Sequence, residues 1–304
     1  MLNDVVGQEQ AITLLKQAVT SQKIAPAYLF VGIPGIGKSI TAQGFAELLL
    51  NCSFTKSSLE SHPDLIWVEP TYTERGNLIT VSQASAQDLK KKAAPKIRIE
   101  QIRQITQFLS RQPLKSDRLF VIIEDAHLMS EAPANALLKT LEEPGNGTVI
   151  LIAPSTDYLL STIVSRCQSI RFTPLSQQNL QLVLEKADYS QILDNPSLVA
   201  MAQGSPGTAI SAWQQLQAIS PDLHQKLLQI PQNNLEALMM AKTITQELEL
   251  PTQLWLVDYL QHHYWQQNQN SELASKWEKT RQYLLSYVQP RLVWECLLTA
   301  IVSF

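Results

Sequence analysis

GIPGIGKS, residues 32–39, is the stretch of this sequence that decides the fold. Its glycines, Lys38 and Ser39 follow the G-x-x-x-x-G-K-S spacing of a phosphate-binding loop. Glycines let consecutive backbone N–H groups curl around phosphate oxygens, the lysine supplies a positive charge, and the serine hydroxyl is a ligand for magnesium. The spacing therefore predicts a nucleotide-binding loop, and a glycine-rich turn without a ligand is the alternative.

The segments on either side have the character that such a loop requires. AYLFV (27–31) is predicted to be a short strand, and residues 39–50 are predicted to form a helix. The apolar positions of this helix are Ile40, Phe45, Leu48 and Leu49. Strand, loop and helix in this order place bound phosphates at a helix N-terminus. The candidate nucleotide-binding residues are Gly32, Ile33, Pro34, Gly35, Ile36, Gly37, Lys38, Ser39 and Thr41.

The composition restricts the class of protein. The chain has 304 residues, of which 45% are hydrophobic and 17% charged, as in a globular protein of two or three domains. A net charge of −3 excludes a strong overall attraction to nucleic acid. The N-terminus has no secretory signal and no apolar run is long enough for a bilayer, so we expect a cytoplasmic protein without membrane contact. The three cysteines and five histidines show no zinc-ligand spacing, so we expect no zinc.

Residues 1–172 alternate predicted helices with short apolar strands. The predicted strands are 27–31, 64–70, 118–125 and 148–154, and the predicted helices include 4–21 and 96–113. This alternation favours a parallel sheet covered by helices. The polar segment 71–95 is predicted to be an irregular surface insertion.

Beyond Arg171 the pattern changes to helices alone. A Gly-Ser-Pro-Gly turn at 204–207 separates two short predicted helices, and long helical patterns dominate from about residue 213. Five of the six tryptophans lie at residue 213 or later. We predict that they belong to the core of this helical part, with burial between subunits as the alternative.

A pair of acids stands at the end of the predicted strand 118–125. Four apolar residues are followed there by Glu124 and Asp125. In loops that hydrolyse ATP, one carboxylate holds magnesium and a second polarises the attacking water. Ser39 and Glu124 are therefore the candidate magnesium site, and Asp125 is a weak catalytic candidate. The alternative is two solvated acids at a strand end.

Five motifs in one order resemble the ATPase domain of bacterial clamp loaders, which are members of the AAA+ class. They are VVGQEQ (5–10), the phosphate loop, IIEDAHLM (122–129), ANALLKTLEEP (134–144) and STIVSRC (161–167). Three further stretches resemble the delta-prime branch of that family, namely HPDLIWVEP (62–70), the turn at 204–207 and QPRLVWECLL (289–298). The resemblance covers nearly the whole chain.

This resemblance implies an α/β P-loop AAA+ domain with a parallel sheet at 1–172, a small helical lid at 173–212 and an all-α collar for assembly at 213–304. It implies ATP or ADP bound with magnesium. The adenine-side candidates are Val5, Val6, Gly7 and Gln8. It also implies partners, which are the gamma/tau motor and delta subunits, the sliding clamp, and primer–template DNA reached through the complex.

Arg166 in STIVSRC matches the family's arginine finger, which reaches into the ATP site of a neighbouring motor subunit; a structural salt bridge is the alternative. Two departures from the motor subunits bear on hydrolysis. The acidic pair is reversed, which puts the shorter Asp125 at the water-polarising position, and Gly207 stands where motors have a lid arginine. We therefore expect a chain that binds ATP, hydrolyses it poorly and donates Arg166. The alternatives are a gamma/tau-type motor ATPase and an unrelated AAA+ protein that forms a ring of identical subunits.

Overall fold

The structure, a computed structural model, describes residues 2–52, 61–74, 77–86, 94–286 and 288–302. The chain divides into two compact units, Met1–Asn179 and Leu180–Phe304. The predicted lid and collar both lie mainly in the second unit, and their separation at residue 213 stays a prediction. No helix among the described residues combines the length and the hydropathy that a membrane span needs.

The first unit is built on a parallel sheet, as predicted. The strands of the described chain are β1 (Ala27–Val31), β2 (Leu65–Val68), β3 (Thr71–Glu74), β4 (Asn77–Thr80), β5 (Leu119–Ile123), β6 (Gly147–Ala153) and β7 (Gln168–Arg171). Five of them form one sheet in the order β2-β5-β6-β1-β7, with every neighbouring pair parallel. β1 and β5 are therefore separated by β6 alone, so that their carboxyl ends meet at the same edge.

The edge strand β7 was not predicted. Ile170 is the one buried residue of its four, whereas Gln168, Ser169 and Arg171 are exposed. Such a polar stretch has no recognisable strand pattern of its own. It pairs because β1 offers an open edge, with Tyr28 beside Gln168 and Val31 beside Arg171.

The described α-helices before β7 are α1 (Glu9–Thr20), α2 (Lys38–Leu50), α3 (Val81–Ala86), α4 (Ile99–Leu109), α5 (Glu131–Glu142) and α6 (Ser161–Val164). All of them except α3, which packs against β4, cover one or the other face of the five-stranded sheet. Successive side chains of a strand point to opposite faces. Tyr28 and Phe30 of β1 accordingly pack with α1 and α2, whereas Leu29 packs with α4, α5 and α6. The buried Ile102, Ile105 and Leu109 confirm a helix within the predicted range 96–113, although it is shorter than predicted and spans Ile99–Leu109.

The prediction was wrong in detail at the first two helices. The first α-helix begins at Glu9 rather than residue 4, because the chain turns at Gly7, whose φ is 74°. In α2, Phe45 is buried as predicted, but Ile40 and Leu48 are 58% and 42% exposed. Three of the seven buried residues of α2 are small, namely Ala42, Gly44 and Ala46. Small side chains let the helix approach its neighbours closely, since a Cβ at Gly44 would lie 2.8 Å from the backbone of Leu2.

The segment 71–95 is not irregular where the structure describes it. β3 and β4 pair in antiparallel fashion, from Thr71 beside Thr80 to Glu74 beside Asn77, and α3 follows directly. Seven of these fourteen side chains are exposed and two, Thr71 and Ala84, are buried, in agreement with a surface insertion. Residues 75–76 and 87–93 of the predicted insertion lie outside the described residues.

A buried carboxylate joins β2 to the loop before β5. Asp64 accepts hydrogen bonds from the backbone N–H groups of Leu114, Lys115 and Ser116 and from the Ser116 hydroxyl, at 2.7–2.9 Å. Its own carbonyl accepts from Phe120 N at 2.8 Å. Burial alone would raise the pKa of Asp64, but the four hydrogen bonds outweigh it and hold the pKa below its ordinary value. Asp64 therefore fixes the start of β5 beside β2.

The second unit is helical throughout its described residues. Its helices are α7 (Gln177–Lys186), which begins in the first unit, then α8 (Pro196–Ala202), α9 (Pro206–Gln217), α10 (Pro221–Leu227), α11 (Asn234–Glu247), α12 (Leu250–Asn268), α13 (Ser271–Leu285) and α14 (Pro290–Val302). Trp277 and Trp294 are fully buried, which confirms that these tryptophans are core, and Trp294 donates a hydrogen bond to Gln253. For Trp265, which is 47% exposed, the prediction of a core position is wrong. Gly207 is the second residue of α9.

Candidate nucleotide-binding site

The phosphate loop joins the carboxyl end of β1 to the first turn of α2. Gly35 and Gly37 have φ values of 73° and 103°, a region that favours glycine. Gly32 is needed for a different reason, because a Cβ there would lie 2.7 Å from the carbonyl oxygen of Phe172. The loop leads into the N-terminus of a helix, whose first N–H groups lack helical partners and suit an anion.

Lys38 is the first residue of α2 and lies buried beneath the loop. Its Nζ donates hydrogen bonds to the carbonyl oxygens of Gly32 and Ile33, at 2.5 and 2.8 Å. Burial lowers the pKa of this ammonium group to about 8, although the charges of Asp125 and Glu124 act in the opposite direction. The group is therefore mostly charged at neutral pH.

Glu124 and Ser39 are brought together, as predicted from the two motifs. The Ser39 hydroxyl donates to Glu124 Oε1 at 2.5 Å, and Glu124 follows the last residue of β5. Burial raises the pKa of Glu124, and this effect is opposed by hydrogen bonds from Ser39 and Trp67. A serine hydroxyl beside a carboxylate oxygen is a donor set suited to magnesium, which prefers oxygen ligands.

Trp67 is a site residue that the sequence analysis missed. Its Nε1 donates to the second carboxylate oxygen of Glu124, Oε2, at 3.1 Å. Trp67 lies beside Ile122 in the β2–β5 register, two residues before Glu124. The available signal was a tryptophan near the end of a strand, in a part of the chain where no other tryptophan occurs. The register of two separate strands was needed to connect it with the acid.

Asp125 diverges from Glu124 although the two acids are adjacent. Its backbone is left-handed, with φ of 46°, and the short 3₁₀ turn Ala126–Leu128 begins directly after it. Half of its side chain is exposed, and its Oδ1 lies 4.0 Å from Nδ1 of His127. Glu124 therefore belongs to the buried cluster with Ser39, whereas Asp125 lies at the solvent side of that cluster.

Of the adenine-side candidates Val5, Val6, Gly7 and Gln8, Val5 lies beside the loop. Val5 Cγ1 is 3.9 Å from the position of a Cβ on Gly37. The side-chain amide of Gln8 is hydrogen-bonded to the backbone of Thr173. It donates to the Thr173 carbonyl at 2.8 Å and accepts from the Thr173 N–H at 3.1 Å. The Thr41 hydroxyl likewise donates to the carbonyl of Gly37. Nucleotide contacts by these residues stay predictions.

Arg166 and the phosphate loop lie at opposite ends of the sheet strands. Arg166 precedes β7 by two residues, and Gln168 at the start of β7 pairs with Tyr28 near the start of β1. Because these strands are parallel, Arg166 stands at the amino edge, whereas the phosphate loop follows the carboxyl end of β1. The guanidinium forms an ion pair with Glu142 at 2.6 Å and is 36% exposed. The salt bridge that the sequence analysis gave as the alternative is therefore present, and the arginine is still accessible to solvent.

No metal-binding group of three or more histidine, cysteine, aspartate or glutamate residues occurs in the part of the chain that the structure describes. The absence of zinc from the protein stays a prediction. Burial raises the pKa of the Cys167 thiol, next to Arg166, to about 12. This thiol is therefore unreactive at neutral pH.

Two family models cover almost the whole chain. The model described as "DNA polymerase III, delta subunit" matches residues 7–176, which is more than half of the sequence. The model described as "Cyanobacterial DNA polymerase III delta prime, C-terminal domain" matches residues 178–301. The boundary between the two matches coincides closely with the boundary between the two compact units.

Individual relatives agree with these matches. The chain is 30% identical over 210 residues to DNA polymerase III subunit tau/gamma of Haemophilus influenzae, which is 67% of this chain and 29% of that protein. It is 32% identical over 196 residues to subunit delta' of Bacillus subtilis, which is 60% of this chain and 53% of that protein. The chain thus spans less than two thirds of the length of these relatives.

A solved structure has the same fold. The DNA polymerase III gamma subunit-related protein of Thermotoga maritima matches 97% of this chain and 99% of its own, with a TM-score of 0.55 at 18% identity. At this identity the likeness establishes the α/β sheet followed by helices, and nothing finer. The family follows from the matched models: the chain belongs to the AAA+ clamp-loader subunits of DNA polymerase III.

Proposed function

We propose that this chain is the delta-prime-type subunit of a DNA polymerase III clamp loader. In this role it holds ATP or ADP with magnesium, hydrolyses it poorly, and donates Arg166 to the ATP site of a neighbouring motor subunit. Its partners are gamma/tau-type motor subunits and a delta subunit. The assembly loads a sliding clamp onto primer–template DNA in the cytoplasm, and the helical residues from about 213 onward mediate the assembly.

One observation carries the proposal. Arg166 is accessible at the amino edge of the sheet, and the chain's own phosphate loop is at the carboxyl edge. A guanidinium in that place is unsuited to assist its own loop but is available to a neighbour. The developing charge on a transferred phosphoryl group is stabilised by such an arginine, which is worth about 10³- to 10⁵-fold in rate.

The residues around the loop suit binding better than hydrolysis. Magnesium, when bound with the nucleotide, would supply positive charge beside the phosphates. Loop N–H groups and Lys38 would hold those phosphates, and Ser39 with Glu124 would hold the metal. Asp125, the candidate for orienting water, has a left-handed backbone and a half-exposed side chain. Gly207, which replaces the motor subunits' lid arginine, has no side chain to contribute.

The test is ATP hydrolysis by the loader reconstituted from this chain, its motor and delta subunits, clamp and DNA. Arg166→Ala should lower the clamp-stimulated rate, partially if the motor sites are independent and further if they fire in sequence. Arg166→Lys should rescue poorly, because an ammonium lacks the planar fork. Arg103→Ala, at an exposed position of α4, is the matched control and should leave the rate unchanged.

Two outcomes would contradict the proposal. Equal rates for wild type and Arg166→Ala, at equal assembly, would show that no neighbour depends on this arginine. Hydrolysis by the isolated chain at about 1 per second or faster, a rate ordinary for enzymes, would favour a gamma/tau-type motor instead.

A further inference from the structure

We propose that Glu142 is a positioning residue that holds Arg166 ready for the neighbouring ATP site. This inference rests on the proposed function, because Glu142 has such a role only if Arg166 acts outside its own chain. The carboxylate belongs to the last residue of α5, and Arg166 follows α6. The two side chains meet on the surface of the first unit.

The contacts engage all three nitrogens of the guanidinium. Arg166 Nε and Nη2 both donate to Glu142 Oε1, at 2.9 and 2.6 Å. Arg166 Nη1 donates to the backbone carbonyl of Thr162, one turn earlier, at 3.0 Å. Three donor nitrogens are thus held by two acceptors from different elements, which restricts rotation of the side chain about its last bonds.

Two donors of the guanidinium remain, one on each terminal nitrogen. An arginine has five N–H groups, one on Nε and two on each terminal nitrogen. The bonds to Glu142 and Thr162 use the Nε–H and one N–H of each terminal nitrogen. One N–H is left on Nη1 and one on Nη2. A pair of this kind is the geometry in which arginine grips two oxygens of a phosphate.

The two acceptors, Glu142 and the carbonyl of Thr162, belong to helices α5 and α6, which pack into the core of the first unit. Leu137 and Leu141 of α5 and Ile163 of α6 are buried in the same core cluster, and the two helices contact each other. Glu142 itself is half exposed. Exposed ion pairs contribute little to the stability of a fold, so the pair adds little to folding. Its effect is orientation, since arginine that is ordered beforehand loses less conformational entropy when it meets phosphate.

The experiment uses the reconstituted loader and expresses each rate relative to the Arg166-dependent rate, which is the difference between wild type and Arg166→Ala. Glu142→Ala should remove about 90% or more of this Arg166-dependent rate, because misplacement by about 1 Å costs on the order of 100-fold. The loss should appear in kcat with an unchanged KM for ATP. Glu142→Gln keeps an acceptor oxygen and should recover most of the rate.

Matched variants separate positioning from general damage. Glu143→Ala removes the same charge from the next, exposed residue and should behave as wild type. The melting temperature should be the same for all variants. In the Arg166→Ala background, Glu142→Ala should have no further effect, because its only route to catalysis is then gone.

The outcomes distinguish this inference from the function on which it rests. If Arg166→Ala has no effect, the proposed function fails. If Arg166→Ala lowers the rate but Glu142→Ala does not, the function stands and the positioning role is wrong. A rate that rises with Glu142→Ala would mean that the carboxylate restrains Arg166, and an additive loss in the double variant would mean that Glu142 acts elsewhere. Either result overturns the inference.

Discussion

Replacing Lys38 with methionine removes the ammonium group beneath the phosphate loop while keeping a side chain of similar length. In the structure this group is buried, donates to two loop carbonyls and has a pKa lowered by burial to about 8. We expect Lys38→Met to weaken nucleotide binding. We also expect it to abolish a pH dependence that the wild type shows just above neutrality.

The magnitude follows from these observations. A hydrogen bond to a charged group contributes about 2–3 kcal/mol, or about 30- to 150-fold in affinity. Because the pKa of Lys38 in the free protein is about 8, the affinity of the wild type should be flat below that pH. Above it, affinity should fall by up to about tenfold per pH unit as the lysine loses its proton. The fall should end about two pH units higher, where the wild type reaches the affinity of the variant.

Calorimetric titration with ATP and magnesium, from about pH 7.5 to about pH 10, measures both effects, since phosphate groups are fully ionised over this range. Lys23→Met, which removes an exposed lysine, is the control and should follow the wild type. Two results would refute the reasoning: a wild-type affinity that is constant over the range, or an equal decline in Lys38→Met.

Two further predictions concern the neighbouring strands. Trp67→Phe removes the hydrogen-bond donor to Glu124, so it should reduce by about tenfold the gain in nucleotide affinity that magnesium provides. The affinity measured without magnesium should not change, and the control Trp265→Phe, at an exposed position, should follow the wild type. Equal gains from magnesium in wild type and Trp67→Phe would contradict this prediction. Asp64→Ala leaves buried donors unpaired and should lower the free energy of unfolding by about 3 kcal/mol or more in urea titrations, unlike Asp117→Ala in the same loop. Because the pKa of Asp64 is lowered in the folded state, its contribution to the free energy of unfolding is present above about pH 4 and is lost as pH falls through the lowered pKa. If the stability of Asp64→Ala depended on acid pH as strongly as that of the wild type, this stabilising role of Asp64 would be wrong.

The sequence was most informative where a feature depends on neighbouring residues only. The buried runs of β1, β5 and β6 are continuous apolar segments, as expected for strands covered on both faces. The glycine and lysine spacing of the phosphate loop is likewise local. These features were sufficient to predict the parallel sheet and the meeting of Ser39 with Glu124.

Features that depend on distant partners could not be predicted in this way. β7 is polar and exists because β1 has an open edge. The hydrogen bond from Trp67 to Glu124 depends on the register between β2 and β5. Glu142 could be seen in ANALLKTLEEP, but its contact with Arg166 depends on the packing of α5 against α6. In each case the deciding geometry lies between elements far apart in sequence.

The charged groups at the phosphate-binding site, Lys38 and Glu124, already have protein partners. The ammonium of Lys38 is bonded to the carbonyls of Gly32 and Ile33, and the carboxylate of Glu124 is bonded to Ser39 and Trp67. An entering ligand therefore exchanges hydrogen bonds rather than relieving unpaired charges. We expect the chain to fold and to join the proposed clamp loader at any ratio of ATP to ADP, so that its assembly is uncoupled from the energy state of the cell.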